Sequence, residues 1–264
     1  MPNIGFMGLG NMGKALIKGW KDLESIDVFG YDIDSQKVAS LQEEAGINAV
    51  GSLKELTDSS DYLVLAVKPY QLQEVLSEIK DDLRQDHCIV SIAAGVKREQ
   101  ILDWSGDRCP VVRVMPNTPA LINQGVFALC LDDPRLDQKQ QEFVQTLFAK
   151  SGKVHTLPEK YFDAFTALIG SGPAYVFYFL ESLIEAGLTV GLNREESRDM
   201  VLSLVSGATQ MAEEGSQSVS ELREMVTSPA GTTIQGLNHL DRQCVKSAII
   251  DAVTAACNRS KEMG

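Results

Sequence analysis

Long apolar runs are missing from this 264-residue sequence. None reaches the roughly 18 residues that span a bilayer, so no membrane partner is expected. Histidine is scarce, with His87, His155 and His239 far apart, and the five cysteines (Cys88, Cys109, Cys130, Cys244, Cys257) form no C-x-x-C pair. No metal ligand set is therefore assigned, and isolated thiols suit a reducing compartment. Basic residues are outnumbered, 24 Lys and Arg against 36 Asp and Glu, for a net charge of −12. Such a chain gains nothing from counterion release along a phosphate backbone, so nucleic acid is not an expected partner, although a locally positive pocket could hold one anionic small molecule. No basic region precedes an apolar stretch in Met1-Pro2-Asn3-Ile4-Gly5, which leads to a cytoplasmic expectation. What is present is ordinary for a globular protein, 44% hydrophobic and 23% charged residues, enough for a real core.

The first half alternates short β-like runs with helical periodicity. Strands are predicted at residues 3–7, 26–31, 60–67, 88–94 and 111–115, with 125–130 and 152–155 extending the sheet. The unbroken run Tyr62-Leu63-Val64-Leu65-Ala66-Val67 fits a parallel strand covered on both faces. Helices are predicted at 13–23 and 35–45, the second capped by Ser35. From Leu157-Pro158 onward only helical periodicity remains, at 160–169, 173–190, 194–214, 219–227, 232–239 and 242–263, with Asp241 as the N-cap of the final helix. The expectation is an α/β, doubly wound, mostly parallel sheet over residues 1–157, followed by an all-α domain over 158–264.

Gly8-Leu9-Gly10-Asn11-Met12-Gly13 is a G-x-G-x-x-G with a strand before it, a helix after it and Asp32 19 positions beyond Gly13. In the Rossmann-like reading Gly8 makes the tight turn, Gly10 lets a pyrophosphate approach and Gly13 lets the helix pack on the strand. The amides of Asn11 and Met12 would donate to phosphate oxygens. Asp32 either accepts from a ribose 2′-hydroxyl, favouring NADH over NADPH, or caps the next helix. Ala66-Val67-Lys68-Pro69 ends the long strand where ligands lie in open α/β sheets. Lys68 is either a cation for the cofactor or a solvated turn residue. Ser91-Ile92-Ala93-Ala94-Gly95 leaves room for a flat ring, and Met115-Pro116-Asn117-Thr118-Pro119 forms a rigid strand exit. In the helical half, Ser228-Pro229-Ala230-Gly231-Thr232-Thr233 offers a helix start with two hydroxyls, suited to a carboxylate or simply to N-capping by Thr232 or Thr233.

Taken together and in order, the fingerprint, Ala66–Pro69, Val90-Ser91-Ile92-Ala93-Ala94-Gly95-Val96, Arg113-Val114-Met115-Pro116-Asn117-Thr118-Pro119-Ala120, Gly170-Ser171-Gly172-Pro173-Ala174-Tyr175 and the Ser228–Thr233 stretch resemble pyrroline-5-carboxylate reductases. The resemblance spans nearly the whole chain. It implies reduction of L-1-pyrroline-5-carboxylate to L-proline by NADPH or NADH, the closing step of proline synthesis, and a helical domain that interleaves with a second copy in a homodimer or an oligomer of dimers. It further implies that Met7, Gly8, Leu9, Gly10, Asn11, Met12, Ala66, Val67, Lys68, Pro69, Ala93 and Ala94 line the cofactor. Gly231, Thr232 and Thr233 would hold the substrate carboxylate, with Thr233 at the ring nitrogen. Two stretches depart from the family pattern: Ala230 replaces the first glycine of Pro-Gly-Gly-Thr-Thr, and Gly215-Ser216-Gln217-Ser218 stands where Gly-Glu-His-Pro is common. The family leaning is NADPH, against the NADH leaning of Asp32.

Two other readings compete. The opening Ile4–Gly13 stretch is also similar to β-hydroxyacid dehydrogenases, but these use a lysine in a Gly-x-x-x-Lys setting. Lys160, Lys246 and Lys261 are the lysines beyond residue 157, and none has that setting. A reductase-like regulator that binds dinucleotide without turnover is the second; an intact Gly231-Thr232-Thr233 argues against it.

Overall fold

The computed structural model describes residues 1–23 and 25–263. Its eight strands are β1 (Asn3–Met7), β2 (Asp27–Tyr31), β3 (Asn48–Ala49), β4 (Tyr62–Leu65), β5 (Cys88–Ser91), β6 (Val111–Met115), β7 (Gly125–Cys130) and β8 (Gly152–Thr156). They form one sheet in the order β3-β2-β1-β4-β5-β6-β7-β8. Strands β3 to β6 run parallel; β7 reverses against β6, and β8 follows β7 in parallel. The chain leaves β1 toward β2 on one side and reaches β4 on the other, so the carboxyl ends of β1 and β4 flank the switch point where ligands of such sheets bind.

Both faces of the sheet are covered, and strand alternation sorts the side chains. Ile4, Phe6, Val64, Val90 and Val112 share one core with Leu16, Ile17 and Trp20 of α1 (Asn11–Trp20), Leu41 of α2 (Ser35–Ala45) and Phe148 of α6 (Gln138–Ala149). Met7, Leu63, Leu65 and Ile89 face the opposite way. There they meet α3 (Leu53–Asp58), α4 (Leu72–Ile79) and α5 (Arg98–Ser105) through Leu56, Leu76 and Ile101. Trp20 packs between Phe6 and Phe148, with ring centroids at 5.5 and 5.3 Å. The unbroken apolar character of β4 follows directly, because successive residues point into different cores.

Local boundaries depart from the sequence expectations for identifiable reasons. Helix α1 starts at Asn11 rather than at residue 13, because the third fingerprint glycine lies inside the helix. Helix α2 is capped by Asp34, whose carboxylate accepts from the Gln36 N–H at 3.0 Å, so Ser35 is its first helical residue rather than its cap. Strand β3 and helix α3 had no counterpart in the sequence reading. The strand is only two residues long, although Ser52 and Glu55 form the N-terminal cap of α3 in a recognisable S-x-x-E.

The chain divides into two compact units, residues 1–171 with 256–263, and residues 172–255. The compositional break at residue 157 therefore precedes the structural one. After Leu157, a short 3-10 turn, α7 (Phe162–Phe165) and a π-helical turn (Thr166–Gly170) stay with the first unit. Phe162 and Phe165 bury themselves against Met115, Ala128 and Cys130, which accounts for their place. The predicted single helix at 160–169 is thus three tight turns of different pitch. Residues 256–263 also belong to the first unit, where the Ser260 hydroxyl donates to Asp163 at 2.7 Å.

The second unit contains α8 (Gly172–Thr189), α9 (Arg194–Glu214), α10 (Val219–Met225), α11 (Thr232–Arg242) and the first part of α12 (Val245–Met263). Helices α8 and α9 approach closely at Gly187, where the Ser197 hydroxyl donates to the Ile184 carbonyl at 2.8 Å and a β-carbon would collide with it. Asp241 does not cap α12; it lies inside α11, and Cys244 at φ 54° separates the two helices. Much apolar surface is uncovered: Phe177 is 64% exposed and Tyr178 74%, with Leu204 and Ile250 similar. Residues 159–189 are long and apolar enough, by length and composition alone, to cross a bilayer. The exclusion drawn from unbroken runs missed this, because glycine and serine interrupt the stretch without making it polar.

Buried His87 carries a pH consequence. Its Nδ1 accepts from the Arg84 N–H at 3.1 Å, and its Nε2 has no partner among the described residues. Burial, with the Arg84 charge in support, pushes its pKa below the ordinary value. A depressed histidine contributes stability above the unfolded-state pKa of about 6.5, and that stability is lost as pH falls below it. The expected result is that wild-type protein loses more unfolding free energy than His87→Asn between pH ~8 and ~5.5, by about 1 kcal/mol. Urea unfolding at the two pH values measures it, and identical pH slopes would refute it.

Candidate active site

The fingerprint turn shows how each glycine is used. Gly8 has φ +94°, and a β-carbon there would lie 2.9 Å from both the Ala66 carbonyl carbon and the Val67 nitrogen. A β-carbon on Gly13 would come within 2.8 Å of the Gly8 oxygen. Gly10 differs: it is the N-cap of α1 in extended conformation, and a β-carbon would meet nothing within 4 Å. No side chain caps that helix end, so the Asn11 and Met12 amides keep the positive pole of α1 open. An open cradle in front of uncapped amides fits a pyrophosphate.

The other predicted cofactor segments converge on the same edge. Ladder pairing sets Met7 beside Leu65 and Leu65 beside Ser91, so the chain exits at Gly8, Ala66 and Ile92–Ala94 are neighbours. The Ala66 N–H donates to the Met7 carbonyl at 2.8 Å. Pro69 opens a 3-10 turn, and the exposed Lys68 donates its N–H to the Gln71 side chain at 3.2 Å. Ala93 is buried and Ala94 half-buried, leaving a smooth wall. Met7 and Leu9 turn their side chains into the cores, and Leu9 also borders a cavity.

Asp32 does more than the sequence reading allowed. Its carboxylate is 8% exposed and accepts from the Leu9 N–H at 2.7 Å and the Asp34 N–H at 2.9 Å, with Lys37 Nζ 3.4 Å away. It fastens the fingerprint turn to the β2–α2 turn, and capping is left to Asp34. Beside it lies a cavity of about 230 Å³ bordered by Leu9, Lys14, Asp34, Gln36, Lys37 and Ser40. Sequence reasoning noted Lys37 but not Lys14 or Ser40. Packing of α1 against α2 is what brings them together, with Lys14 Nζ 3.4 Å from the Ser40 hydroxyl and 2.9 Å from Glu44, and no local sequence signal marks it. Glu44, which also pairs with Lys18, is held well below the usual carboxylate range, at about 2, by its hydrogen bonds from Lys18, Ser40 and Lys14.

At the end of β6, Asn117 is 7% exposed. Its Oδ1 accepts from the Val126 N–H at 2.8 Å, and its Nδ2 donates to the Ile169 carbonyl in the π-helical turn at 3.3 Å. These bonds pin the Pro116–Pro119 exit, whose rigidity the sequence analysis had attributed to its prolines without a role for Asn117. Burial raises the thiols of Cys88 and Cys109, the latter to about 12, so neither is a nucleophile at neutral pH.

In the second unit, Gly231 is the N-cap of α11, so neither Thr232 nor Thr233 caps it. Both threonines sit in the first turn, and neither hydroxyl has a hydrogen-bond partner among the described residues. Free amides and two free hydroxyls at a helix start have the chemistry that suits a carboxylate. Ala230, immediately before Gly231, has φ +56°, a conformation that costs a non-glycine residue about 1 kcal/mol. The departure from Pro-Gly-Gly therefore sits where glycine is conformationally favoured. Ala230→Gly is expected to leave the melting temperature unchanged or raise it, by up to about 1 kcal/mol of stability; a clear fall in thermal unfolding would contradict the strain.

Comparison with known proteins gives the family. A family profile described as pyrroline-5-carboxylate reductase dimerisation matches residues 159–263, and one described as NADP oxidoreductase, coenzyme F420-dependent, matches 3–95. The pyrroline-5-carboxylate reductase of Escherichia coli K12 is 34% identical over 98% of this chain and 97% of its own length. The chain belongs to the pyrroline-5-carboxylate reductase family. The Pisum sativum member is 33% identical over 98% of this chain and 95% of its own. The crystal structure of Plasmodium falciparum pyrroline carboxylate reductase with NADP bound superposes with a TM-score of 0.90, at 36% identity, covering 100% of this chain and 98% of that one. Prephenate dehydrogenase from Aquifex aeolicus, at 17% identity and a TM-score of 0.55, shares the fold alone.

Proposed function

We infer that this chain is an NAD(P)H-dependent oxidoreductase that reduces L-1-pyrroline-5-carboxylate to L-proline, as its reductase family members are named to do. The dihydronicotinamide, when bound, supplies a hydride to the imine carbon, and one proton on nitrogen completes the amine. A protonated cyclic imine is already a good acceptor, so the chain's task is mainly to position it. Gly8, Gly10 and the Asn11 and Met12 amides hold the pyrophosphate. Asp32 fixes the Leu9 side of the turn, and Ala66–Pro69 with Ala93–Ala94 wall the ring. Gly231 and Thr232 hold the substrate carboxylate, while Thr233 orients the ring nitrogen. The observation that carries this reading is the uncapped start of α11, which presents two unpartnered hydroxyls in a chain whose other unit has a dinucleotide cradle.

The helical part, 158–264 in the sequence reading, serves substrate binding and dimerisation. The uncovered aromatics of α8 support a homodimer rather than a membrane contact, since the family profile over 159–263 is one of dimerisation. Scattered free thiols support a cytoplasmic setting. For the cofactor, Asp32 favours NADH, whereas Lys14 and Lys37 at the same cavity favour the 2′-phosphate of NADPH.

The test is oxidation of NADPH and of NADH by purified protein with pyrroline-5-carboxylate. Turnover that requires the imine is expected, and the ratio of the two rates reads the preference. Dinucleotide binding without oxidation of either would overturn the enzymatic reading in favour of a silent binding protein.

A further inference from the structure

A second cavity lies in the first unit, apart from the fingerprint turn, with a volume of about 190 Å³. Gly95, the residue after Ala93–Ala94, forms one wall, and its other borders are all charged. Two of them are carboxylates that are already engaged. Glu159 accepts from Arg113 Nη1 at 3.0 Å and from the Arg98 backbone N–H at 2.7 Å, and Asp163 accepts from the Ser260 hydroxyl at 2.7 Å. The cations are not matched in the same way. Lys97, Lys160 and Lys261 border the cavity, and none has a carboxylate partner among the described residues; Lys160 only overlies the Tyr161 ring at 5.0 Å.

A second observation points the same way. Arg113 is 5% exposed and stacks over Phe162 at 4.7 Å, yet its Nε has no acceptor. Nη1 of Arg98, the neighbour that shares Glu159, is likewise buried and unpaired. Buried guanidinium N–H groups without acceptors are costly. That of Arg113 belongs to a residue bordering this cavity beside three ammonium groups that lack a carboxylate partner among the described residues, whereas Arg98 meets Glu159 through its backbone N–H alone. In a chain of net charge −12 this is a local excess of positive charge and of donors.

We propose that this cavity binds a compact, multiply charged oxyanion of the phosphate type, at a site separate from the dinucleotide cradle. The space equals the liquid volume of about six waters, enough for such an ion with part of its hydration shell. Four cationic side chains, Lys97, Arg113, Lys160 and Lys261, border it against two carboxylates, a net positive lining that favours an anion. Several ammonium groups favour two negative charges over one.

The experiment uses the full chain saturated with NADP+, so that the cradle is blocked. Inorganic phosphate is titrated in at constant ionic strength, balanced by chloride, and followed by phosphorus NMR line broadening and by the melting midpoint. Saturable broadening with a rising midpoint is expected, with acetate at least about 10-fold weaker. Lys97→Gln combined with Lys261→Gln, both at exposed positions, is expected to weaken phosphate at least about 10-fold and leave NADP+ affinity unchanged. Lys160→Gln gives an independent reading of the same loss. The proposal is overturned if phosphate acts no differently from chloride, or if these variants titrate as wild type.

Discussion

Replacing Thr233 by valine is expected to raise the apparent KM for pyrroline-5-carboxylate roughly 10- to 100-fold, while the dissociation constant of NADP+ stays within about two-fold. The magnitude follows from one hydrogen bond to a charged ligand, worth about 1.5–3 kcal/mol. The separation follows from placement, because Thr233 lies in the first turn of α11 in the second unit, and the cradle is built wholly from the first. Valine is nearly isosteric, and the lost hydroxyl has no partner among the described residues, so folding is spared. A matching fall in kcat would add proton delivery to its role, whereas an intact kcat confines it to positioning. An unchanged KM would remove Thr233 from the substrate site.

Gly10→Ala and Gly8→Ala are expected to fail in opposite ways. At Gly10 the backbone is extended and the added methyl meets nothing, so stability should change by less than about 1 kcal/mol. The same methyl stands where a pyrophosphate must come close, and dinucleotide affinity should fall about 100-fold. At Gly8 the substitution combines φ +94° with backbone atoms at 2.9 Å, and stability should drop by about 2–4 kcal/mol before binding is even considered. Paired unfolding and fluorescence-binding measurements check both. Equal effects on stability from the two variants would mean that Gly10 does not front an open cradle.

Legibility of the fold varied with the length and chemistry of each element. Strand β4 and the β1–turn–α1 unit were readable because apolar runs and fixed glycine spacing report local geometry. Strand β3 was not, since two residues carry no periodicity. The π-helical turn at Thr166–Gly170 was invisible for another reason: its pitch depends on Asn117 reaching the Ile169 carbonyl from another part of the chain. The candidate site shows the same division. Glycine positions could be assigned from spacing, but Asp32 appeared as a ribose ligand or a cap because its bond to the Leu9 amide joins two separate turns. Lys14 escaped notice because it meets Ser40 and Glu44 only when two helices pack. For the threonines of α11 chemistry alone left a carboxylate site and N-capping both open; Gly231 occupies the N-cap position and no side chain caps the helix, which removes the capping role.

The return of residues 256–263 to the first unit has a consequence for biogenesis. On the ribosome, the nucleotide-binding half emerges long before the stretch whose Ser260 fastens onto Asp163. It must wait, incompletely sealed beside Gly95, while the whole helical insert is translated. Only then can Ser260 reach Asp163, so the first unit cannot be complete until residues 172–255 have been translated.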